Sequence, residues 1–260
     1  MKFAHVDIHS HISFKEFDAD REEVLSRMAA ADVATITVGV DLMSSKRALI
    51  AANESERVYA AIGLHPADNT AEEFNAADFS LLVKDPKVVA IGECGLDFFR
   101  RDGVSEVERA RQKKELDAQI TFALTHDKPL MIHCRAAHEE MLDILGAYKK
   151  ESGDLLRGNI HFFTTTLPIA KRYIDLGFTI SFPGVITFTN EYNDVVRGVP
   201  LSMIMVETDA PFASPVPFRG KRNEPSFVVE TVKKIAELRG ESFREVAATL
   251  RQNTTRVFGI

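Results

Sequence analysis

Short runs of apolar residues recur along the chain, separated by longer stretches in which apolar residues return every three or four positions. Most of the short runs are continuous rather than alternating, which is typical of strands buried on both faces of a parallel sheet. We predict eight strands, at residues 4–8, 34–40, 58–62, 88–91, 129–132, 159–162, 178–182 and 203–206.

The longer stretches predict amphipathic helices, because their apolar residues fall on one face at helical spacing. Gly177 is the expected C-cap of the fourth helix. Ser242 followed by Glu245 predicts a capping box at the start of the last one. The predicted helices cover residues 20–31, 105–126, 137–149, 166–176, 226–239 and 243–252.

This alternation favours an α/β fold, a closed TIM-like (β/α)8 barrel with additional C-terminal helices. A doubly wound open sheet is the alternative, but no glycine-rich loop of the Walker or dinucleotide type follows the first strand. The 260 residues, 45% of them hydrophobic, match the usual size of one barrel. Because no linker-like tract divides the chain, we expect a single domain over residues 1–260.

A net charge of −6 argues against a protein that coats nucleic acid by electrostatics alone, although it allows a local basic rim. No apolar run approaches the roughly 20 residues needed to cross a bilayer, and the start of the chain does not resemble a signal peptide. We therefore expect a cytoplasmic protein without a membrane segment. The oligomeric state stays open, with a monomer favoured. We expect Cys94 and Cys134 to be reduced thiols that face the helices.

Six residues of metal-binding type stand at the ends of predicted strands. Alternation places His9 and His11 on one face, where two imidazoles can share an ion. Glu93, flanked by glycines, has two oxygens with which it could bridge two cations. The carboxyl ends of barrel strands meet at one face, so a metal-dependent hydrolase is the leading hypothesis. The other candidates, at the ends of strands five, six and eight, are His133, His161 and Asp209.

Several neighbouring polar residues have expected roles in support of these six. Alternation puts Asp7 on the same face as the histidine pair, deeper in the barrel. His65 either touches the substrate or caps the loop before Pro66, and the sequence leaves both open. Alternation puts Asp97 on the same face as Glu93, and Glu207 on the same face as Asp209. We expect ordinary structural roles for His5, His126 and His138.

These motifs together resemble those of the TatD family of metal-dependent deoxyribonucleases, within the amidohydrolase-like barrels. The matching stretches lie between residues 7 and 225 and include DIHSHI, GLHP, AIGECGLDFF, KPLMIHCRAAHE, IHFFT, VETDAPF and RGKRNEP. The resemblance implies hydrolysis of phosphodiester bonds in a nucleic acid, with DNA as the expected substrate. It also implies two divalent cations, one held by His9, His11, Glu93 and Asp209 and the second by Glu93, His133 and His161.

The resemblance further implies substrate-facing roles for His65, Arg135 and Arg222. Asp209 is the best candidate to take a proton from the attacking water, with Glu93 as the other catalytic carboxylate. Nitrogen and oxygen ligands without thiolate permit zinc, manganese, nickel or iron, and magnesium more weakly. The sequence does not choose among these ions.

Two positions depart from the family pattern. Thr165 stands where the family usually has a glycine after His161, which leaves the shape of that loop open. Ser10 stands where the family often has cysteine, but we expect its side chain to face away from the metals. An amide, lactone or aminoacyl-ester hydrolase on the same barrel is an alternative, as is a metal-binding relative without turnover. Glu93 stands where amide and lactone hydrolases often use a carbamylated lysine, which favours the phosphodiesterase.

Overall fold

The computed structural model describes residues 3–68, 71–100 and 103–260. Within them, eight parallel strands follow one another around a single sheet in chain order. This order confirms the TIM-like barrel and excludes a doubly wound sheet, in which the strand order reverses part-way. The strands are β1 (His5–Ser10), β2 (Val33–Val38), β3 (Val58–Ile62), β4 (Val88–Asp97), β5 (Leu130–Arg135), β6 (Gly158–Ile160), β7 (Thr179–Phe182) and β8 (Ile204–Val206).

The barrel closes where the chain beyond β8 meets the end of β1. Ser10 and Ala210 form a parallel bridge. The N–H of Asp209 donates to the carbonyl of His9 at 2.8 Å, and the N–H of His11 donates to that of Ala210 at 2.7 Å. Closure therefore brings the first and last of the candidate ligands in the chain side by side.

All six predicted helices are confirmed, and the last one extends to Phe258. Three further helices were not among the predictions. The longest of them buries Ser45, Ala48, Ala51 and Ala52, residues too small or too polar to give a clear apolar stripe. The helices among the described residues are α1 (Arg21–Ala30), α2 (Leu42–Asn53), α3 (Ala76–Phe79), α4 (Glu106–Thr125), α5 (His138–Ser152), α6 (Leu167–Asp175), α7 (Asn193–Gly198), α8 (Val228–Arg239) and α9 (Phe243–Phe258).

The helix termini confirm one expectation and correct another. Gly177 is the glycine that ends α6, with a left-handed φ of +83°, although it lies one residue beyond Leu176, the C-cap residue itself. Ser242 is the N-cap residue of α9, but its hydroxyl makes no capping hydrogen bond. The predicted capping box is therefore wrong, although the position of the helix start is right.

The core has two layers. The larger lies between the sheet and the helices, and the smaller fills the barrel interior. The interior layer contains Met131 and Met205, which alternation places on the same faces as His133 and Glu207. Phe258 of α9 belongs to this interior cluster and is 5% exposed. The C-terminal helix thus seals the end of the barrel that lies away from the candidate ligands.

Within the part of the chain that the structure describes, no helix combines the length and the apolar character needed to span a membrane. Cys94 and Cys134 are both free thiols. Cys94 packs in the layer between sheet and helices, and the Cys134 sulfur accepts a hydrogen bond from Tyr173 of α6. Their expected orientation toward the helices is confirmed.

Candidate metal centre

The structure brings the six predicted ligands into one cluster at the carboxyl end of the barrel. His9, Glu93 and His133 lie on β1, β4 and β5. His11 and His161 directly follow β1 and β6, and Asp209 lies three residues after the end of β8. His9 is completely buried, and Glu93 is 4% exposed. These two donors are therefore shielded from bulk water. A cation gains most from direct ligation at such a shielded site.

One oxygen of Glu93 faces the residues of β1 and the segment after β8. Its Oε2 lies 3.4 Å from His9 Nε2 and 3.9 Å from His11 Nε2. Asp209 Oδ1 lies 3.4 Å from the same nitrogen of His11 and 3.8 Å from that of His9. These four side chains enclose one side of the cluster.

The other oxygen of Glu93 faces a second group of imidazoles. Its Oε1 lies 2.8 Å from His161 Nε2 and 3.0 Å from His133 Nδ1. His65 Nε2 is 3.5 Å from the same oxygen. Glu93 therefore stands between two half-sites, with one carboxylate oxygen directed to each.

Neighbouring acceptors orient two of the imidazoles. His11 Nδ1 lies 2.9 Å from the carbonyl of Val38, and His133 Nε2 lies 3.2 Å from Asp97 Oδ2. When the ring carries its proton on the bonded nitrogen, the opposite nitrogen presents a lone pair to the cluster. Asp97 thus supports a candidate ligand, as its position in the sequence suggested.

Electrostatics in the cluster couple the carboxylate to the histidines. Burial alone would raise the pKa of Glu93, but His161, His65 and His9 outweigh it and hold the pKa well below its usual value. Burial would lower the pKa of His161, but Glu93 and Glu207 raise it well above the ordinary value. Glu93 and His161 therefore each favour the charged form of the other. A cation must displace protons from the imidazoles in order to bind.

Two glycines of β4 allow the close strand contact that positions Glu93. Gly92 and Gly95 have φ values of +154° and +150°. A Cβ at Gly95 would lie 1.9 Å from the carbonyl oxygen of His133, and one at Gly92 would lie 2.4 Å from that of Met131. Only glycine therefore lets β5 approach β4 this closely.

The alternation argument fails for Asp7, which does not share a face with the histidine pair. The register between β1 and β2 shifts between Asp7 and Ser10, which breaks the two-residue period. Asp7 instead accepts hydrogen bonds from the backbone N–H and the hydroxyl of Thr208, at 2.8 and 2.6 Å. Burial raises the pKa of Asp7 to about 8, despite these bonds. Its role is structural, because it ties the segment after β8 to β1.

The donor set fits divalent cations. One atom from each of His9, His11 and Asp209 lies within 4.8 Å of the others, as does one atom from each of His9, Glu93 and His161. A third such group is His65, Glu93 and His133. Clustered imidazoles and carboxylates without thiolate are ligands of zinc and related ions.

A cavity of about 510 Å³ opens above the cluster. His65 and Arg135, both predicted to face the substrate, line it. His65 also lies 3.3 Å from Asp68 and accepts from the N–H of Ala67, so it holds the loop after β3 as well. Both roles considered for His65 are compatible with this position.

Arg222 lies outside the residues that line this cavity. Its guanidinium donates to Asp20 Oδ2 at 2.6 Å and to the carbonyl of Glu16 at 2.5 Å. The same group lies 4.4 Å from the centroid of the Phe17 ring. The structure thus does not bring Arg222 to the cluster, and its contact with substrate stays a prediction.

Aromatic residues line the cavity that were not singled out from the sequence. They come from four separate loops, and no local spacing connects them. Phe212 had the best signal, because it ends the VETDAPF motif three residues after Asp209. These residues are Phe14, Phe162, Tyr192 and Phe212.

Comparison with known proteins identifies the family. The model of the family described as TatD related DNase matches residues 6–259. The chain belongs to the TatD family. YabD of Bacillus subtilis, named an uncharacterized metal-dependent hydrolase, is 38% identical to this TatD chain, and the match covers 98% of each. The chain is therefore a member of a family of metal-dependent hydrolases.

Two further relatives extend this TatD assignment. The crystal structure of the TatD homologue YjjV from Escherichia coli superposes with a TM-score of 0.87 at 31% identity, over 100% of each chain. A protein of Erwinia tasmaniensis, named 3'-5' ssDNA/RNA exonuclease TatD, is 31% identical over 98% of this chain and 99% of its own. The fold and the family are thus shown over nearly the whole chain.

The loop after β6 in this TatD chain carries its left-handed residue close to His161 and not at Thr165. The left-handed residue of the loop is Phe162, with a φ of +48°. Its N–H donates to Glu207 Oε1 at 2.8 Å, and that oxygen lies 3.5 Å from His161 Nδ1. Glu207 therefore holds the loop by a hydrogen bond and places its negative charge next to His161.

Proposed function

We propose that this chain hydrolyses phosphodiester bonds in nucleic acid, with DNA as the expected substrate, and that it requires two divalent cations. The observation that carries the proposal is the position of Glu93 between two half-sites, with one oxygen directed to each. Paired cations suit phosphoryl transfer, because charge develops on both the attacking and the leaving oxygen. The name of the Erwinia tasmaniensis relative supports the same class of substrate.

One cation would be held by His9, His11, Glu93 and Asp209, and the second by Glu93, His133 and His161. His65 stands close enough to Glu93 to take part in the second half-site. Zinc, manganese, nickel, iron and magnesium all remain candidates. When bound, the cations would orient the phosphate, neutralise its charge and lower the pKa of the attacking water.

The side chains of the protein have separate tasks in this mechanism. Asp209 lines the cavity and has a side chain that is 15% exposed, so it can reach both the cluster and an incoming water molecule. It accepts the proton of that water as the oxygen attacks phosphorus. The P–O bond to the leaving sugar oxygen breaks, and that oxygen takes a proton from solvent. Arg135, at the mouth, binds a neighbouring phosphate through its planar guanidinium.

The direct test assays one purified sample of the protein on three substrates: single-stranded DNA, a simple phosphodiester and a lactone. We expect cleavage of the two phosphodiesters and loss of that activity after treatment with a chelator, restored by added divalent cation. Full activity in protein shown by elemental analysis to be metal-free would contradict the proposal. Turnover of the lactone, or of an amide or aminoacyl ester, without phosphodiester cleavage would favour the alternative hydrolase.

Replacing Asp209 with Asn should lower kcat by about 10²–10⁴-fold, the usual contribution of a general base. Asn tolerates the left-handed backbone that Asp209 adopts, with a φ of +55°, so the fold should be retained. The matched control is Asp175→Asn, at an exposed residue that ends α6 at the other end of the barrel. Unchanged kcat in Asp209→Asn would show that Asp209 is not the general base. If the wild type itself shows no turnover, a metal-binding relative without catalytic activity would be favoured.

A further inference from the structure

Two arginines at the carboxyl end of the barrel each lie over the ring of an exposed phenylalanine. The guanidinium carbon of Arg135 is 3.8 Å from the centroid of the Phe99 ring, and that of Arg219 is 3.8 Å from the centroid of Phe188. A guanidinium held over a ring is attracted to the ring face. Its outer face can stack on a nucleobase while its N–H groups bind phosphate.

The exposure of these rings is concentrated at the cavity end of the molecule. Among the described residues, four phenylalanines are largely exposed: Phe99, Phe188, Phe212 and Phe243, at 55%, 43%, 53% and 39%. The first three lie on loops that follow barrel strands, the end where the candidate metal centre lies. The carboxyl end of the barrel therefore presents exposed aromatic rings of the kind on which bases of a single strand can stack.

The two pairs lie on separated parts of the rim. Arg135 ends β5 and Phe99 follows β4, whereas Phe188 and Arg219 come from the loops after β7 and β8. Because the strands are arranged in chain order around a ring, β4–β5 and β7–β8 lie across the cavity from each other. A strand whose phosphate reached the cluster would run between the two pairs.

The first pair is connected to the cluster through Asp97. Its Oδ1 accepts from the backbone N–H of Phe99 at 2.9 Å, while its Oδ2 lies 3.2 Å from His133 Nε2. Arg135 lines the cavity, and among the described residues its guanidinium forms no ion pair with a carboxylate. Its positive charge is therefore available for a phosphate.

The second pair is held by contacts between two loops. The N–H of Val216 donates to the hydroxyl of Thr187 at 2.9 Å, next to Phe188. Arg219 donates to the carbonyl of Ser214 at 2.9 Å, which holds its guanidinium in position. Val185, one turn before Phe188, lines the cavity and connects this pair to it.

We infer that Arg135 on Phe99 and Arg219 on Phe188 are two stacking platforms that hold the unpaired bases of the substrate on either side of the scissile phosphate. The inference rests on the proposed function and specifies which side chains position the strand. A single strand fits, because its bases are free to stack, whereas those of a duplex are already stacked on each other. Base recognition of this kind is tolerant of sequence, since every base has a π-face.

The test compares two strands of equal length by fluorescence anisotropy, a thymidine oligonucleotide and an abasic strand with the same phosphates. The protein is the full chain, and chelator is present so that no strand is cut. The salt concentration is kept low and constant, because phosphate contacts weaken as salt rises. We expect the wild type to bind the thymidine strand at least about ten-fold more tightly. A duplex of the same length should not bind more tightly than the abasic strand by this factor.

Phe99→Ala and Phe188→Ala should each weaken binding of the thymidine strand by about five-fold or more, without changing the affinity for the abasic strand. Phe99→Tyr, which keeps an aromatic ring, should retain the preference. Arg135→Lys keeps the charge but loses the planar group, so it should lower the preference as well. The matched control is Phe243→Ala, at an exposed ring near His5 at the other end of the barrel.

Equal affinity of the wild type for the two strands would overturn the inference. So would an equal loss for both strands in Phe99→Ala, which would indicate a general effect on the surface. Cleavage by the metal-loaded enzyme is measured separately. Cleavage without base-dependent binding would remove only the platforms, whereas base-dependent binding without cleavage would remove only the proposed hydrolysis.

Discussion

At the scale of single residues, the cluster depends on a glycine without a side chain as well as on the ligating side chains. Glu93 can stand between the two groups of imidazoles because Gly95, two residues on, has no side chain. A Cβ there would lie 1.9 Å from the carbonyl oxygen of His133, a distance that real atoms do not tolerate. The position of a candidate ligand is thus determined by its glycine neighbour.

Gly95→Ala should therefore lower the free energy of unfolding by more than about 3 kcal/mol, because backbone contacts cannot relax as a flexible side chain can. Divalent cation should also bind more weakly, because β5 and His133 must move. Urea unfolding and a metal-binding titration measure the two effects.

The control is Gly146→Ala in α5, where no atom outside the helix backbone lies within 4 Å of the added Cβ and a helical alanine should stabilise by about 1 kcal/mol. Similar stability of both variants would contradict the strand-contact argument.

At the scale of elements, two helices that start with serine differ in how they are capped. The hydroxyl of Ser105 accepts from the N–H of Glu108 at 3.2 Å at the start of α4. Ser242 has the same position in α9 but makes no side-chain capping bond. The residue type alone therefore does not determine whether a cap forms.

Ser105→Ala should lower the free energy of unfolding by about 1 kcal/mol, the usual contribution of an N-cap bond. Ser242→Ala should change it by only a few tenths of that value, because no such bond is lost. Denaturant unfolding of both variants provides the measurement, with each serving as the other's control. An equal loss in the two variants would show that the hydroxyl of Ser242 does form a cap in solution.

At the scale of the whole molecule, the two ends of the barrel have different tasks. The carboxyl end gathers the polar cluster, and the opposite end is sealed by apolar side chains. Phe258, near the end of the chain, packs with interior residues such as Ile8 and Met205, although it is distant from both in sequence. The stability of the barrel interior thus depends on the last helix.

Phe258→Ala should destabilise the fold by about 3–5 kcal/mol, because it removes a large side chain from the interior and leaves a cavity. The melting temperature should fall by roughly 2–4 °C for each kcal/mol lost. The same substitution at Phe243, which is 39% exposed, is the matched control and should have a smaller effect. A melting temperature in Phe258→Ala equal to that of the wild type would mean that α9 does not seal the barrel.

The fold and the identities of the candidate ligands could be predicted from the sequence, because both depend on local or repeated features. Continuous apolar runs between amphipathic stretches define a parallel barrel, and strand ends in such a barrel meet at one face. Once His9, Glu93 and Asp209 were located at strand ends, their convergence followed from the fold. Helix α2 was missed because the residues it buries are small or polar.

Only the tertiary structure decided which atoms meet. The two-residue period predicted the wrong face for Asp7, because the register between β1 and β2 shifts within the strand. The proximity of His65 to Glu93, the pairing of Arg222 with Asp20 and the two arginine–phenylalanine pairs all join residues that are far apart in sequence. Such contacts depend on strand register and loop path, which are set by packing over the whole barrel and leave no periodic signal in the chain.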